Sequence, residues 1–181
     1  SAHHGGTIIM VPDELKETLL QVNPHINVKY HFEDAEARAR YRSLLVSIMK
    51  LLSVQSDPAK IAGWNEYERS ADEQLIVLDE ALFEMSYLIA GLTAVDGAVL
   101  MTKRFEILGF GAEITANGEV VTHVAKALDV GTRHRSAFRL AQSIPQAIIV
   151  VVSQDGDVRL IRSRDAEVTY WSHRPSIHVT P

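Results

Sequence analysis

The sequence predicts a mixed α/β or α+β domain in which helices flank one central mixed β-sheet. Three observations carry that expectation. A short apolar run bounded by turn residues opens the chain, two long stretches with apolar residues at three- and four-residue steps follow, and short strand-like runs fill much of the rest. At 181 residues the chain has the size of one domain, or of one domain with an appendage.

Gly5 to Pro12 reads Gly-Gly-Thr-Ile-Ile-Met-Val-Pro, the pattern of a buried strand. Pro12-Asp13-Glu14 then opens a short helix, because proline fits the first helical position and acids suit the positive end of the helix dipole. Asn27 to Phe32 reads equally as a short strand or a loop. From Asp34 onward, Tyr41, Leu44, Leu45, Ile48, Leu51 and Leu52 form the stripe of an amphipathic helix. Val54 to Ser70 carries Asp57-Pro58, Gly63 and Trp64 and reads as an irregular connection. A second helix follows, with Leu75, Leu78, Leu82, Met85 and Ile89 on one face. Both stripes are those of helices packed on a core.

Beyond Val95 the pattern changes. Ala98 to Met101, Phe105 to Ile114 and Ala147 to Ser153 are strand-like, and Val158 to Ile161 alternates as a hairpin partner. The turn of that hairpin is Gln154-Asp155-Gly156-Asp157, in which Asp-Gly supplies left-handed backbone. Ser136 to Ser143 is expected to be a short helix, and the tail after Trp171, with Pro175 and Pro181, an irregular surface segment.

Composition excludes several classes. The chain has 18 basic and 23 acidic residues, a net charge of −5, so it lacks the basic surface a general nucleic-acid binder uses to release counterions. It has no cysteine, which removes disulfide scaffolds, thiolate zinc sites and cysteine nucleophiles. No apolar stretch has the length of a membrane-spanning helix, and no secretory signal pattern opens the chain. Because it starts Ser1-Ala2 without methionine, we expect the natural protein to be longer at its N-terminus. Gly109-Phe110-Gly111 lacks the third glycine and the helix of a dinucleotide fingerprint, and there is no Walker-A, His-Glu-x-x-His or Gly-x-Ser-x-Gly sequence.

Two clusters remain. Asp96-Gly97-Ala98 stands between the second long helix and an apolar strand. A carboxylate there, followed by a residue without a side chain, can hold Mg²⁺ or Mn²⁺ or take a proton from a sugar hydroxyl. An ordinary Asp-Gly turn explains the same residues equally well. The second cluster, Gly131-Thr132-Arg133-His134-Arg135-Ser136-Ala137, places two arginines and a histidine at the mouth of a helix. Arginines there oppose the dipole, whereas a bound polyanion would use both the guanidinium forks and the helix N–H groups.

Together and in this order, the clusters resemble the diadenylate cyclase domain family (DisA-type), which condenses two ATP into cyclic di-AMP. The marks of that family, Asp-Gly-Ala and Gly-Thr-Arg-His-Arg-(Ser/Ala)-Ala, stand intact at 96–98 and 131–137. Val150-Val151-Val152-Ser153-Gln154-Asp155-Gly156 is also similar to the family's valine-rich strand, which ends in serine before a hairpin. The resemblance covers residues 70–165. The Gly-Gly-Thr-Ile-Ile-Met-Val-Pro run and Gly109-Phe110-Gly111-Ala112-Glu113-Ile114 look like a subgroup whose cyclase domain follows a sensor-like region. On this reading residues 1–70 are the end of a sensor region or part of the same domain, 71–165 the cyclase core and 166–181 a C-terminal tail.

The resemblance implies a diadenylate-cyclase-like fold and a nucleotidyltransferase. Asp96 would ligate Mg²⁺ or Mn²⁺ and help activate the ribose 3′-hydroxyl, with Gly97 and Ala98 shaping the adenosine pocket. Gly131, Thr132, Arg133, His134 and Arg135 would hold the triphosphate, Ser153 would contact phosphate, and Ile114 would lie against adenine. Where some members carry an acidic pair after the serine, this chain has Gln154 and Asp155, so Asp155 is the candidate for a second metal ligand. The product's symmetry calls for two domains facing one another in a two-fold pair. ATP as substrate, a bacterial cytoplasmic setting and no nucleic-acid or membrane partner for this stretch follow from the same reading. The rival expectation is a nucleotide-binding sensor module of the same fold with little or no cyclase activity.

Overall fold

The computed structural model describes residues 5–55, 73–117, 131–154, 156–165 and 167–173. The architecture is α+β, a mixed seven-stranded sheet with helices on both faces. In chain order the elements are β1 (Gly6–Val11), a 3-10 turn (Asp13–Leu15), α1 (Lys16–Leu20), β2 (Ile26–His31), α2 (Ala35–Gln55) and α3 (Glu73–Ala94). Then follow β3 (Ala98–Thr102), β4 (Ile107–Ile114), α4 (Thr132–Ser143), β5 (Ile148–Val152), β6 (Val158–Arg164) and β7 (Glu167–His173).

The strands lie in the order β2-β4-β3-β1-β5-β6-β7. Strand β1 is therefore central, parallel to β3 with Ile8 opposite Val99, and antiparallel to β5 with Ile8 opposite Val150. Every other pairing is antiparallel. A strand covered on both faces needs apolar residues at successive positions, which explains the unbroken Ile-Ile-Met-Val of β1. Ile9 and Val11 join the larger core cluster with Leu100, Leu108, Phe138, Leu140, Ile149 and Val151. Ile8 and Met10 join the second cluster, formed with Met85 and Ile89 of α3 and Val99, Met101 and Ile107 of the sheet. So α4 covers one face and α2 with α3 the other.

The inward stripes of α2 and α3 match expectation, with Ile48, Met85 and Ile89 all buried. The outward side of α3 is apolar too: Phe83 and Tyr87 are 72% and 76% exposed. Most of the connection expected at 54–70 lies outside the described residues.

Three boundaries differ from the sequence reading. The 27–32 stretch, left open there, is the strand β2, held against β4 from Ile26 opposite Ile114 to His31 opposite Gly109. Helix α4 begins at Thr132 rather than Ser136, because Gly131 has an extended backbone and its carbonyl accepts from the His134 and Arg135 N–H groups. Residues 167–173, given no strand in the sequence reading and placed with the C-terminal tail (irregular after Trp171), form the edge strand β7 paired to β6 along its whole length. Only Val168 and Tyr170 of β7 turn to the core, so its alternation is too short and too polar to register in the sequence.

One charged group is taken into the structure. Glu106 is buried at the β3–β4 turn, where Lys16 Nζ lies 3.6 Å from its carboxylate and Arg38 Nε 3.4 Å. This pairing ties α1, α2 and the β3–β4 hairpin together. Among the described residues, no helix is long and apolar enough to cross a membrane.

Leu100 is fully buried at the centre of the sheet. Leu100→Ala should lower unfolding free energy by about 2–5 kcal/mol, measured by urea denaturation, because little around it can collapse into the gap. A loss below about 1 kcal/mol would contradict the packing described.

Candidate functional site

Strands β1 and β3 start, and β4 and β5 finish, at the same end of the sheet, and α4 begins above that end. A cavity of about 780 Å³ opens there, on the α4 face. Both sequence clusters line it. Asp96, Gly97 and Ala98 form one wall, Gly131, Thr132, Arg133 and His134 another, and Ser153 and Ile114 complete the set expected from sequence. Arg135 is the exception: it does not line the cavity, and its guanidinium donates to Thr132 Oγ1 at 3.2 Å. Asp155 lies outside the described residues.

Gly97 makes the first wall possible. Its φ of +115° is open to glycine, and a Cβ there would stand 2.6 Å from the Gly111 carbonyl carbon. Gly111 itself has φ +64°. The Gly109-Phe110-Gly111 run is thus a structural device that lets the Asp96-Gly97 turn close onto β4. Phe110 between the glycines stacks on Tyr30, with ring centroids 4.8 Å apart. Asp96 itself is exposed at the cavity rim.

The second wall is electropositive. No acid lies in the first turn of α4 and no side chain caps it, so its leading N–H groups and partial positive charge face the cavity. Arg133 is seated against the start of β1: a Cβ on Gly5 would meet its Nη1 at 2.5 Å and the Val152 carbonyl oxygen at 2.6 Å. Gly6 packs equally closely on Thr93 at the end of α3. Gly5 and Gly6 therefore let β1 pass between the elements that carry Asp96 and Arg133.

His134 is 7% exposed, and its Nε2 has no hydrogen-bond partner among the described residues. Burial, then the Arg159 and Arg133 guanidinia, hold its pKa below the ordinary histidine value, while Asp157 acts weakly the other way. Ser153 is fixed by the hairpin turn: its N–H donates to the Asp157 carbonyl at 2.8 Å, and its Oγ accepts from the Asp157 N–H at 3.1 Å.

Sequence reasoning missed Thr7, Lys29, Glu113, Asp157 and Arg159, which also line the cavity. Thr7 is nearly inaccessible, and its Oγ1 lacks a partner among the described residues; so does Arg159 Nε. Thr7 was hidden inside what reads as a plain core strand. Arg159 sits at an inward position of β6, opposite Val151 of β5, and a charge at such a position was the available signal. Five buried side-chain polar atoms of the described residues lack a hydrogen-bond partner, and three of them belong to Thr7, His134 and Arg159, which line this cavity.

The donor set limits metal binding. Among the described residues, no three His, Cys, Asp or Glu side chains are grouped to hold an ion. Asp96, at the rim of a cavity that Glu113 and Asp157 also line, fits the Mg²⁺ habit of taking one or two carboxylates and completing its shell from substrate phosphates and water.

Two outcomes follow. Gly97→Ala should cost about 1–3 kcal/mol in thermal or urea unfolding and weaken any ligand held by the Asp96 turn; wild-type stability would contradict the interlock. His134 binds its proton less readily when folded, so its contribution to stability is complete above pH 6.5 and is lost as the pH falls through that value toward its depressed folded one. The fall in melting temperature below pH 6.5 should be shallower in His134→Gln, and parallel curves for the two proteins would contradict the burial of a neutral imidazole.

Comparison with curated proteins and with solved structures finds no match. A family model does match: DAC, described as DisA bacterial checkpoint controller nucleotide-binding, over residues 73–165. That span runs from the start of α3 through β6 and contains Asp96, the α4 N-terminus and Ser153. Its description accords with a cavity whose buried polar atoms and helix N-terminus are arranged for an anion. The chain belongs to the DAC family of DisA-type nucleotide-binding domains.

Proposed function

We propose that this chain is a diadenylate cyclase, joining two ATP into cyclic di-AMP and two pyrophosphates. The observation that carries the reading is that the α4 N-terminus, with Arg133 and the buried His134, lines the same cavity as Asp96. The first group suits a triphosphate, and the second suits the hydroxyl that attacks a phosphate.

In this reaction each ribose 3′-oxygen attacks the α-phosphorus of the opposite ATP. The new P–O bond forms as the bond to pyrophosphate breaks, and the hydroxyl proton leaves toward Asp96 or water. Thr132, Arg133 and the α4 N–H groups hold the phosphate oxygens, and the guanidinium takes up charge as pyrophosphate departs. His134, neutral at pH 7, acts as a hydrogen-bonding group rather than a cation. Ser153 donates its hydroxyl to phosphate, Gly97 and Ala98 leave room for the nucleoside, and Ile114 packs on the adenine. A Mg²⁺ or Mn²⁺ ion bound with Asp96 and substrate phosphates supplies charge neutralisation. The acceptor hydroxyl for one ATP belongs to another, so two copies must face one another with a two-fold axis between their cavities. The setting is one where ATP is abundant, the bacterial cytoplasm.

The rival reading, a nucleotide-binding module that cyclises poorly, is favoured by one observation: Arg135 turns to Thr132 and away from the cavity. Incubation with ATP and Mn²⁺ or Mg²⁺, with chromatographic detection of cyclic di-AMP, decides between them. Product per protein should rise with protein concentration. Asp96→Asn should lower turnover at least about a hundredfold while ATP affinity changes little. ATP binding without product would favour the binding module.

A further inference from the structure

We propose that Arg159 and Thr7 form a second phosphate-binding wall of the cavity, one that holds the terminal, departing part of a polyphosphate chain. The inference rests on the nucleotide reading and adds residues outside the Asp-Gly-Ala and Gly-Thr-Arg-His-Arg clusters; Thr7 lies outside the matched span altogether.

Arg159 occupies an inward position near the start of β6, opposite Val151 of β5. A guanidinium cannot be deprotonated there, and its partial burial has a cost that something must offset. Its Cζ lies 5.8 Å from the centroid of the Tyr170 ring. The contact gives the guanidinium an aromatic neighbour beside the cavity that Arg159 lines. Nε is buried and has no partner among the described residues.

Thr7 gives an independent sign. It is 3% exposed, on the central strand, and its hydroxyl is also unpartnered among the described residues. A buried hydroxyl left without a partner costs about 1–3 kcal/mol, so valine would serve a purely structural position better. Both side chains line the cavity that His134 lines, and Arg159 is near enough to disfavour the protonated imidazole. A fork and a hydroxyl beside a neutral imidazole form a donor array with a fixed positive charge. Its complement is a chain of phosphate oxyanions, longer than the α4 N-terminus and Arg133 can satisfy alone.

The test is calorimetric titration of the protein with inorganic tripolyphosphate, with ATP and with adenosine, for wild type, Arg159→Met, Arg159→Lys and Thr7→Val. Arg159→Met should weaken tripolyphosphate and ATP by about ten- to a hundredfold and leave adenosine unchanged. Arg159→Lys, which keeps the charge and loses the fork, should recover part of that loss, and Thr7→Val should weaken the two phosphate ligands by several-fold. Unchanged tripolyphosphate and ATP affinities in Arg159→Met would overturn the proposal. Equal loss of all three ligands, in Met and Lys variants alike, would also overturn it, by making Arg159 a structural support for the cavity. If wild type binds neither tripolyphosphate nor ATP, this inference and the nucleotide reading fail together. If it binds both and makes no cyclic product, only the cyclase reading fails.

Discussion

The structure depends on the passage of one strand. β1 runs between β3 and β5, carries Ile9 and Val11 into one core and Ile8 and Met10 into the other, and reaches the cavity with Thr7. Its first residues have no side chains because there is no room for them: Arg133 and the Val152 carbonyl press on Gly5, and Thr93 presses on Gly6. The distance between the Asp96 turn and the α4 N-terminus is therefore set by a backbone wedged between them. Residues matched to the family supply most of the groups in the cavity, but the strand that spaces them lies outside that match.

The cavity gathers charge of both signs: Arg133, Arg159 and the α4 N-terminus face the space that Asp96, Glu113 and Asp157 also line. His134, set among them, is kept neutral by burial and by those guanidinia. Positive charge that is already in place needs little rearrangement when an anion arrives. Preorganisation of this sort is how a site stabilises charge without reorganising at the moment of reaction. Glu106, Lys16 and Arg38 show the contrasting use of buried charge, paired among themselves and serving to fasten elements together.

Much of the arrangement was legible in the sequence because it obeys strong local rules. Apolar periodicity marked α2 and α3, and a two-faced buried strand marked β1. Arginines at a helix mouth oppose its dipole, and together with the Asp-Gly-Ala before an apolar strand they marked the two clusters that line the cavity. The start of α4 was misplaced because its N-cap is Gly131, which makes no side-chain cap hydrogen bond and begins the helix through backbone geometry alone. β7 escaped because an edge strand covered on one face needs few apolar residues. Thr7 and Arg159 escaped for another reason: they become cavity residues through strand order, and β1 lying beside β5, with β6 next, is a property of the whole sheet.

The central place of β1 also governs how the chain can fold. Its partners are far along the sequence: Ile8 meets Val99 on one side and Val150 on the other. Neither ladder can close until most of the domain has left the ribosome, and both closures carry the entropy of long loops. The β3–β4 and β5–β6 hairpins are local by comparison and can form early, each with an open edge awaiting the same strand. Insertion of β1 is then a late, joining event, and the cavity end of the molecule comes into being only when it is complete. Until that moment an apolar N-terminal strand and two unpaired edges are exposed together, the condition under which chains pair with one another instead of with themselves.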